Sequence, residues 1–387
     1  MWTRSGRITS KVLKQSTGVG HRANRIGLKE RATISSLLLV LVVACSEPPL
    51  AEEVVFPKHE APVPGVVTKI AFGSCADQKK NPIIWEPIVA QSPDLFLFLG
   101  DNVYADTEDP AEFREAYRLL GEKPGYRKLI ESTPVLAVWD DHDYGVNDGG
   151  AEYPAREMAE EIYHEFFTTP EDAAVRSYPG IYDAHYFGEE GERLQILMLD
   201  TRYFRGPLVP LPQRATHGPY AQNTDPNATV LGDAQWRWLE AELMKPADLR
   251  IIMSSIQFLP QDHLWERWEN FPHERKRFLS LLKENKTGPV LFVSGDRHMG
   301  EIMALATEDP LSPGFPVYEI TSSGLTNAGG GRKGEPNRHR VSPVNFQSRN
   351  FGLITIDWPE KSLLLELRDV EGAVVDSYEA LFSVAKE

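Results

Sequence analysis

Cysteine is almost missing from this chain: 387 residues contain two, Cys45 and Cys75. That excludes a disulfide framework of the kind that staples small secreted domains. Long apolar runs are scarce as well. The stretch Ile34 to Ala44 has the length of a signal peptide and is too short to span a bilayer comfortably. Internal repeats and low-complexity tracts do not stand out, which sets aside solenoid architectures. Positive charge is short beyond the first 35 residues. Those carry eight Lys/Arg against Glu30 alone, leaving 33 basic and 55 acidic residues, net −22, over residues 36–387. A body that acidic repels polyanions, so nucleic acid is not an expected partner.

What remains is an ordinary globular composition, 41% hydrophobic and 25% charged, with ample material for a core. The basic head and apolar run end at Val42-Val43-Ala44-Cys45, which resembles a bacterial lipobox. Residues 1–45 read as an export segment in which Cys45 takes the lipid, anchoring the mature protein at the cell envelope. Residues 46–66, rich in Pro and Glu, read as a flexible linker. With Cys45 lipidated, Cys75 has no intramolecular partner, and it is either an inert buried thiol or a metal ligand.

Residues 67–384 read as one layered α/β domain. Short apolar runs end abruptly in polar clusters: TKIAF before GSC, DLFLFL before GDNVY, PVLAVW before DDHD. LQILML before DTR, RIIMSSI before QF and PVLFV before SGDRH follow the same pattern. Such runs suit strands buried on both faces. Helical stretches alternate with them. In AREMAEEIYHEFF the residues Met158, Ile162 and Phe166 form one stripe, DAQWRWLEAELM opens on Asp233 as a cap, and HERKRFLSLLKEN follows. The tail alternates as a β-meander with turns at Trp358-Pro359 and Glu371-Gly372. Residues 205–230, rich in Pro and Gly, read as a long surface loop.

In sheet-based α/β folds ligands bind at the carboxyl ends of strands, and every one of these polar clusters sits there. Singly each is weak. Together they offer a thiol (Cys75), a phenol (Tyr104), an imidazole (His298) and carboxylates (Asp101, Asp141, Asp296) at separate strand ends. The stretch VWDDHDYGVNDGG crowds Asp140, Asp141, Asp143 and Asp148 around His142, an arrangement that a bound cation would compensate. Thiolate, phenolate and imidazole suit a transition metal such as iron(III), whereas oxygen donors suit calcium, magnesium or manganese.

The ordered blocks GSC, GDNVYAD, WDDHD and SGDRHMGE resemble the alkaline phosphatase D (PhoD) family, related to purple acid phosphatases, over nearly all of residues 68–330. The resemblance implies a metallophosphoesterase αββα sandwich with mixed central sheets, and a two-metal phosphoesterase acting on phosphate mono- and diesters. It implies Cys75, Asp101, Tyr104 and His298 around iron(III), with Asp101 bridging to a calcium site made by Asp141 and Asp296. Manganese and zinc rank behind that pair. Gln257, in SSIQF, stands where the family usually supplies a histidine ligand, and Asn147 or Asp148 is a further candidate ligand for the cation. His142 falls at the proton-donor position, with an imidazole near its ordinary pKa. Arg202, Arg297 and the GGGRKGEPNRHR loop offer positive groups for a phosphate, a small ester or a phospholipid-derived substrate. The large N-terminal β domain of longer members is not expected. Two other readings are a non-catalytic calcium-binding surface lipoprotein and a metal-dependent hydrolase of non-phosphate esters.

Overall fold

A computed structural model describes residues 54–63, 65–329 and 334–382. The export segment, Cys45, and Arg332 and Lys333 lie outside the described residues.

Among the described residues fourteen strands form in chain order: β1 (Lys69–Gly73), β2 (Leu95–Leu99), β3 (Val135–Val138), β4 (Asp183–Phe187), β5 (Leu194–Met198), β6 (Val209–Ala215) and β7 (Gly218–Ala221). They continue with β8 (Leu249–Ser254), β9 (Val290–Ser294), β10 (Gly300–Leu305), β11 (Val317–Ser322), β12 (Phe351–Asp357), β13 (Ser362–Arg368) and β14 (Val374–Leu381). One sheet runs β14-β13-β12-β1-β2-β3 and the other β10-β11-β9-β8-β5-β4. Both are mixed. In the first, β1, β2 and β3 are parallel and the tail meander joins antiparallel. In the second, β5, β8, β9 and β11 are parallel and both edges antiparallel.

The strands alternate as buried sheets must. In β8, Ile251 and Met253 join the core between the sheets, while Ile252 joins a second core beneath the helices Gly232–Leu243 and Pro272–Glu284. In β2, Phe96 and Phe98 turn away from the second sheet onto Trp85, their ring centroids 6.0 and 5.9 Å from its own. Each such buried ring contributes about 1.5–3 kcal/mol. The helices are α1 (Trp85–Ala90), α2 (Pro110–Gly121), α3 (Pro124–Ser132), the single turn α4 (Asp141–Tyr144), α5 (Arg156–Phe166), α6 (Gly232–Leu243) and α7 (Pro272–Glu284). With α1 and α3 against the first sheet and α6 and α7 against the second, the layers follow the expected α/β sandwich.

Three local expectations need correction. Asp233 is not the cap of α6: Leu231 is, without a side-chain hydrogen bond, because the helix begins one residue earlier at Gly232. Residues 205–230 are not wholly loop, since β6 and β7 pair as an antiparallel hairpin. Residues 54–63, inside the expected linker, are not free chain. Phe56 packs edge-on against Phe166, and His59, 7% exposed, hydrogen-bonds the Tyr126 hydroxyl at 2.8 Å. Proline content says extended chain, but two aromatic rings three residues apart give that chain something to bury.

Candidate active site

Strand ends from both sheets converge where β1 and β11 meet, bridged at Ser74 and Ser323. The approach is close. A Cβ on Gly295 would lie 2.6 Å from Ser74 Oγ, and one on Gly100 (φ +93°) would lie 2.4 Å from Asp140 Cβ. Glycine at these two turns lets the chain reverse within contact of its neighbour. Beyond the strands the backbone turns left-handed at Cys75, Asp101, Asp296 and His298, with φ of 61°, 50°, 64° and 54°. Left-handed conformations cost L-residues about 1–2 kcal/mol each, and such strain collects at functional sites.

These turns bring the sequence candidates together. Cys75 Sγ, fully buried, lies 3.3 Å from Asp101 Oδ2 and 3.0 Å from Ser323 Oγ. The Tyr104 hydroxyl donates to Asp101 Oδ2 at 3.1 Å and stands 3.2 Å from His298 Nε2. Cys75, Asp101 and His298 thus present ligand atoms within 4.8 Å of one another, as do Asp101, Asp141 and His142. A third such group joins Asp141 to Asp148 and Glu266. Asp101 and Asp141 each belong to two groups. Asp296 sits close enough for its charge to push up Cys75, Asp140 and Asp148.

The protein's own groups leave this constellation electrostatically unbalanced. Burial pushes the Cys75 thiol up to about 11, and burial followed by the Cys75 and Asp141 charges holds Asp101 well above the carboxylate range. Burial and the Asp101 charge likewise raise Tyr104. Burial works against ionisation of Asp141 too, yet the Arg202 and His142 charges draw it down to about 2. Its Oδ1 is buried with no hydrogen-bond partner among the described residues. Soft and phenolic donors on one side of Asp101, carboxylates on the other and an orphaned carboxylate oxygen fit two cations sharing Asp101.

His142 stacks on Tyr104, centroids 4.1 Å apart, and its Nδ1 lies 2.7 Å from Asp106 Oδ1. Burial would lower its pKa, but the Asp106 hydrogen bond and the Asp141 and Asp101 charges prevail, lifting it to about 10. An imidazole near its ordinary value was expected. The acids packed around it account for the difference.

Arg202 does not face a substrate. It is fully buried, its Nε 2.7 Å from Asp140 Oδ1 and a terminal nitrogen 2.7 Å from Glu266 Oε2. Its charge is spent on Asp140, directly before Asp141, so it supports the ligands from behind. Gln257 is also elsewhere engaged: its amide nitrogen donates to Glu301 and Thr321, and its oxygen lies 3.0 Å from His263 Nε2. Asp296 is in none of the three candidate ligand groups among the described residues, and its place beside the site rests on its charge alone. Arg297 pairs with Glu335 at 2.7 Å, Arg338 with Asp262, and Arg340 with Glu301 at 2.7 Å, so these cations are not held out for phosphate. Asn147 lines a cleft with Asp106 next to the site.

Sequence reasoning passed over Asp106, Ser323 and Asn327, whose Nδ2 donates to the Tyr104 hydroxyl at 2.8 Å. Asp106 stands two residues past Tyr104 in the same block. Ser323 and Asn327 follow β11, whose sequence VYEITS is interrupted by Glu319, so the unbroken apolar run that marked the other strands was lacking there. Glu266 follows no strand and carried no such signal.

Comparisons with known proteins bear on the fold and the family. A solved structure of PhoD superposes with a TM-score of 0.67 at 16% identity, covering 83% of this chain and 70% of that one. Alkaline phosphatase D of Bacillus subtilis (strain 168) is 21% identical over 325 residues, 73% of this chain and 54% of its own length. The chain therefore spans about half the length of that curated relative. The profile of PhoD-like phosphatases matches residues 70–364, and over those residues the chain belongs to the PhoD-like phosphatase family.

Proposed function

We propose that the protein is an exported, metal-dependent phosphoesterase hydrolysing phosphate mono- and diesters. Cys75, Tyr104 and His298 would hold iron(III), Asp141 and Asp296 would hold calcium, and Asp101 would serve both. The observation that carries this reading is Asp101, which stands in one ligand group with Cys75 and His298 and in another with Asp141 and His142. When bound, two such cations neutralise phosphate oxyanions and activate water for in-line displacement.

The chain's own residues do the rest. Asp106 accepts the Nδ1 proton of His142, which leaves Nε2 to deliver a proton to the leaving-group oxygen. Arg202 compensates Asp140 and Glu266, so that Asp141 stays ionised toward the cation. Stacking on Tyr104 fixes the imidazole plane. Export follows from the apolar run and lipobox-like VVAC, with Cys45 lipidated and the domain tethered at the cell envelope. Small phosphate esters or phospholipid-derived esters are its substrates.

Elemental analysis of purified protein, with turnover of p-nitrophenyl phosphate, bis-p-nitrophenyl phosphate and carboxylic esters, tests the reading. Iron with calcium and phosphate-ester turnover are expected. Calcium without iron and no phosphate-ester turnover would favour a binding lipoprotein, and turnover of carboxylic esters alone a different hydrolase. A colourless, fully active zinc enzyme would overturn the metal assignment. Mass spectrometry of cell-derived protein should find residues 1–44 absent and lipid on Cys45; an unmodified Cys45 would refute the anchor.

A further inference from the structure

The loop after β11, residues 323–327, supplies none of the ligands assigned to the cations, yet it grips two of them. Its backbone is tied to the turn at Cys75. Leu325 N donates to Ser74 O at 3.0 Å, and Thr326 N and Asn327 N both donate to Cys75 O, at 3.1 and 3.0 Å. Leu325 itself is fully buried in the core between the sheets. The loop is thus fixed against the thiol by its backbone, and its side chains add to that hold.

Ser323 has one proton to give. Its Oγ accepts the His298 N–H at 2.7 Å and lies 3.0 Å from Cys75 Sγ, with Ser323 and Cys75 both fully buried. A metal-bound cysteine is a thiolate with no proton of its own, so the Ser323 hydroxyl must donate to the sulfur. The Ser74 hydroxyl stands farther from that sulfur, at 3.5 Å, and has the Ser322 carbonyl at 3.4 Å as a second acceptor. One hydroxyl therefore joins two left-handed turns, Cys75 after a strand of the first sheet and His298 after a strand of the second.

Asn327 repeats the arrangement at Tyr104. Which way its amide points follows from Lys80, whose ammonium only donates and takes the amide oxygen Oδ1. The amide nitrogen is left for the Tyr104 hydroxyl, at 2.8 Å, with His298 Nε2 at 3.4 Å. A phenolate at Tyr104 can only accept, so Asn327 donates to it.

We propose that residues 323–327 are the hydrogen-bonding shell of the iron site, with Ser323 donating to the Cys75 thiolate and Asn327 to the Tyr104 phenolate as positioning residues. The inference rests on the assignment of Cys75 and Tyr104 as iron ligands. Each bond orients an anionic ligand and draws electron density from it, which raises the reduction potential of the iron.

Iron-binding titration, visible spectroscopy and redox titration of the whole protein, Ser323→Ala and Asn327→Leu test this. Both variants should bind iron about 10–100-fold more weakly. At saturating iron, each should absorb at longer wavelength than the parent and show a lower reduction potential, because a ligand freed of its hydrogen bond is the better electron donor. A lower melting temperature with iron affinity, absorption and potential unchanged would make both residues packing groups only and overturn the proposal. If Ser323→Ala does not fold, the half-buried Asn327 decides it by the same measurements. A parent protein without iron overturns the metal assignment and this inference with it. An iron-bearing parent with unshifted variants overturns this inference alone.

Discussion

His142 and Asp106 carry the sharpest claims at the residue scale. The 2.7 Å contact ties one ring nitrogen of His142, and the proton it delivers matters most when the leaving group is a poor one. His142→Ala should keep both metals and lower turnover of alkyl diesters by about 10²–10⁴-fold. Nitrophenyl esters, whose leaving group needs little protonation, should lose much less. Asp106→Asn should follow the same substrate order with a smaller loss, since the imidazole remains but its orientation is no longer fixed. Equal losses on both substrates with intact metals would remove the proton-donor role. At Cys75 the claim is ligation. Cys75→Ser should lower iron content and activity with the fold retained, whereas a merely packed thiol would cost stability and leave iron unchanged. Tyr104→Phe should shift or remove any visible phenolate-to-iron band.

Among the secondary-structure elements, the parallel strands were the most legible part of the sequence. Runs such as LFLFL and VLFVS, buried on both faces, announce themselves by unbroken apolarity, and the ligands follow at their carboxyl ends. Less legible was anything that depends on what lies opposite. Arg202 reads as a phosphate clamp until Asp140 and Glu266 are found on either side of it. Gln257 reads as a ligand until His263 and Glu301 claim its amide. The segment 54–63 reads as a tether until Phe56 meets Phe166. That docked segment makes its own prediction. Burial lowers His59 from 6.5 to about 4, so the folded protein resists a proton that the unfolded chain accepts. Stability is therefore complete above pH 6.5 and is lost as pH falls toward 4, by about 3 kcal/mol at the lower end. His164, lowered by burial to about 4 as well, adds to the same slope. Denaturant unfolding between pH 7 and 4 should show His59→Gln flattening this loss only in part. An unchanged slope would mean that His59 is not buried neutral.

For the whole molecule, the position of the centre across the seam between the sheets has a mechanical consequence. Cys75, Asp101 and Asp141 follow strands of the first sheet, whereas Asp296 and His298 follow β9 of the second. A cation bound to both sets ties the two halves of the sandwich together where their strand ends cross. It also compensates buried carboxylates that the chain balances incompletely: Asp140, Asp101 and Asp148 are all pushed up by burial before any other cause. Metal binding should therefore register as global stability. At a free metal concentration a hundredfold above Kd, one site contributes about 2.7 kcal/mol. For a domain of this size, at about 2–4 °C per kcal/mol, exhaustive chelation should lower the melting temperature by at least about 5 °C. Restoring iron and calcium should return it. In Cys75→Ser the iron-dependent part of the recovery should vanish while the calcium part persists, because Asp141 and Asp296 are untouched. A melting temperature that stays put after elemental analysis confirms that the metals are gone would mean the carboxylates are balanced by the protein alone. The seam would then be held by the packed core and the Ser74–Ser323 bridge, with Arg202 sufficient counter-charge for the acids around it.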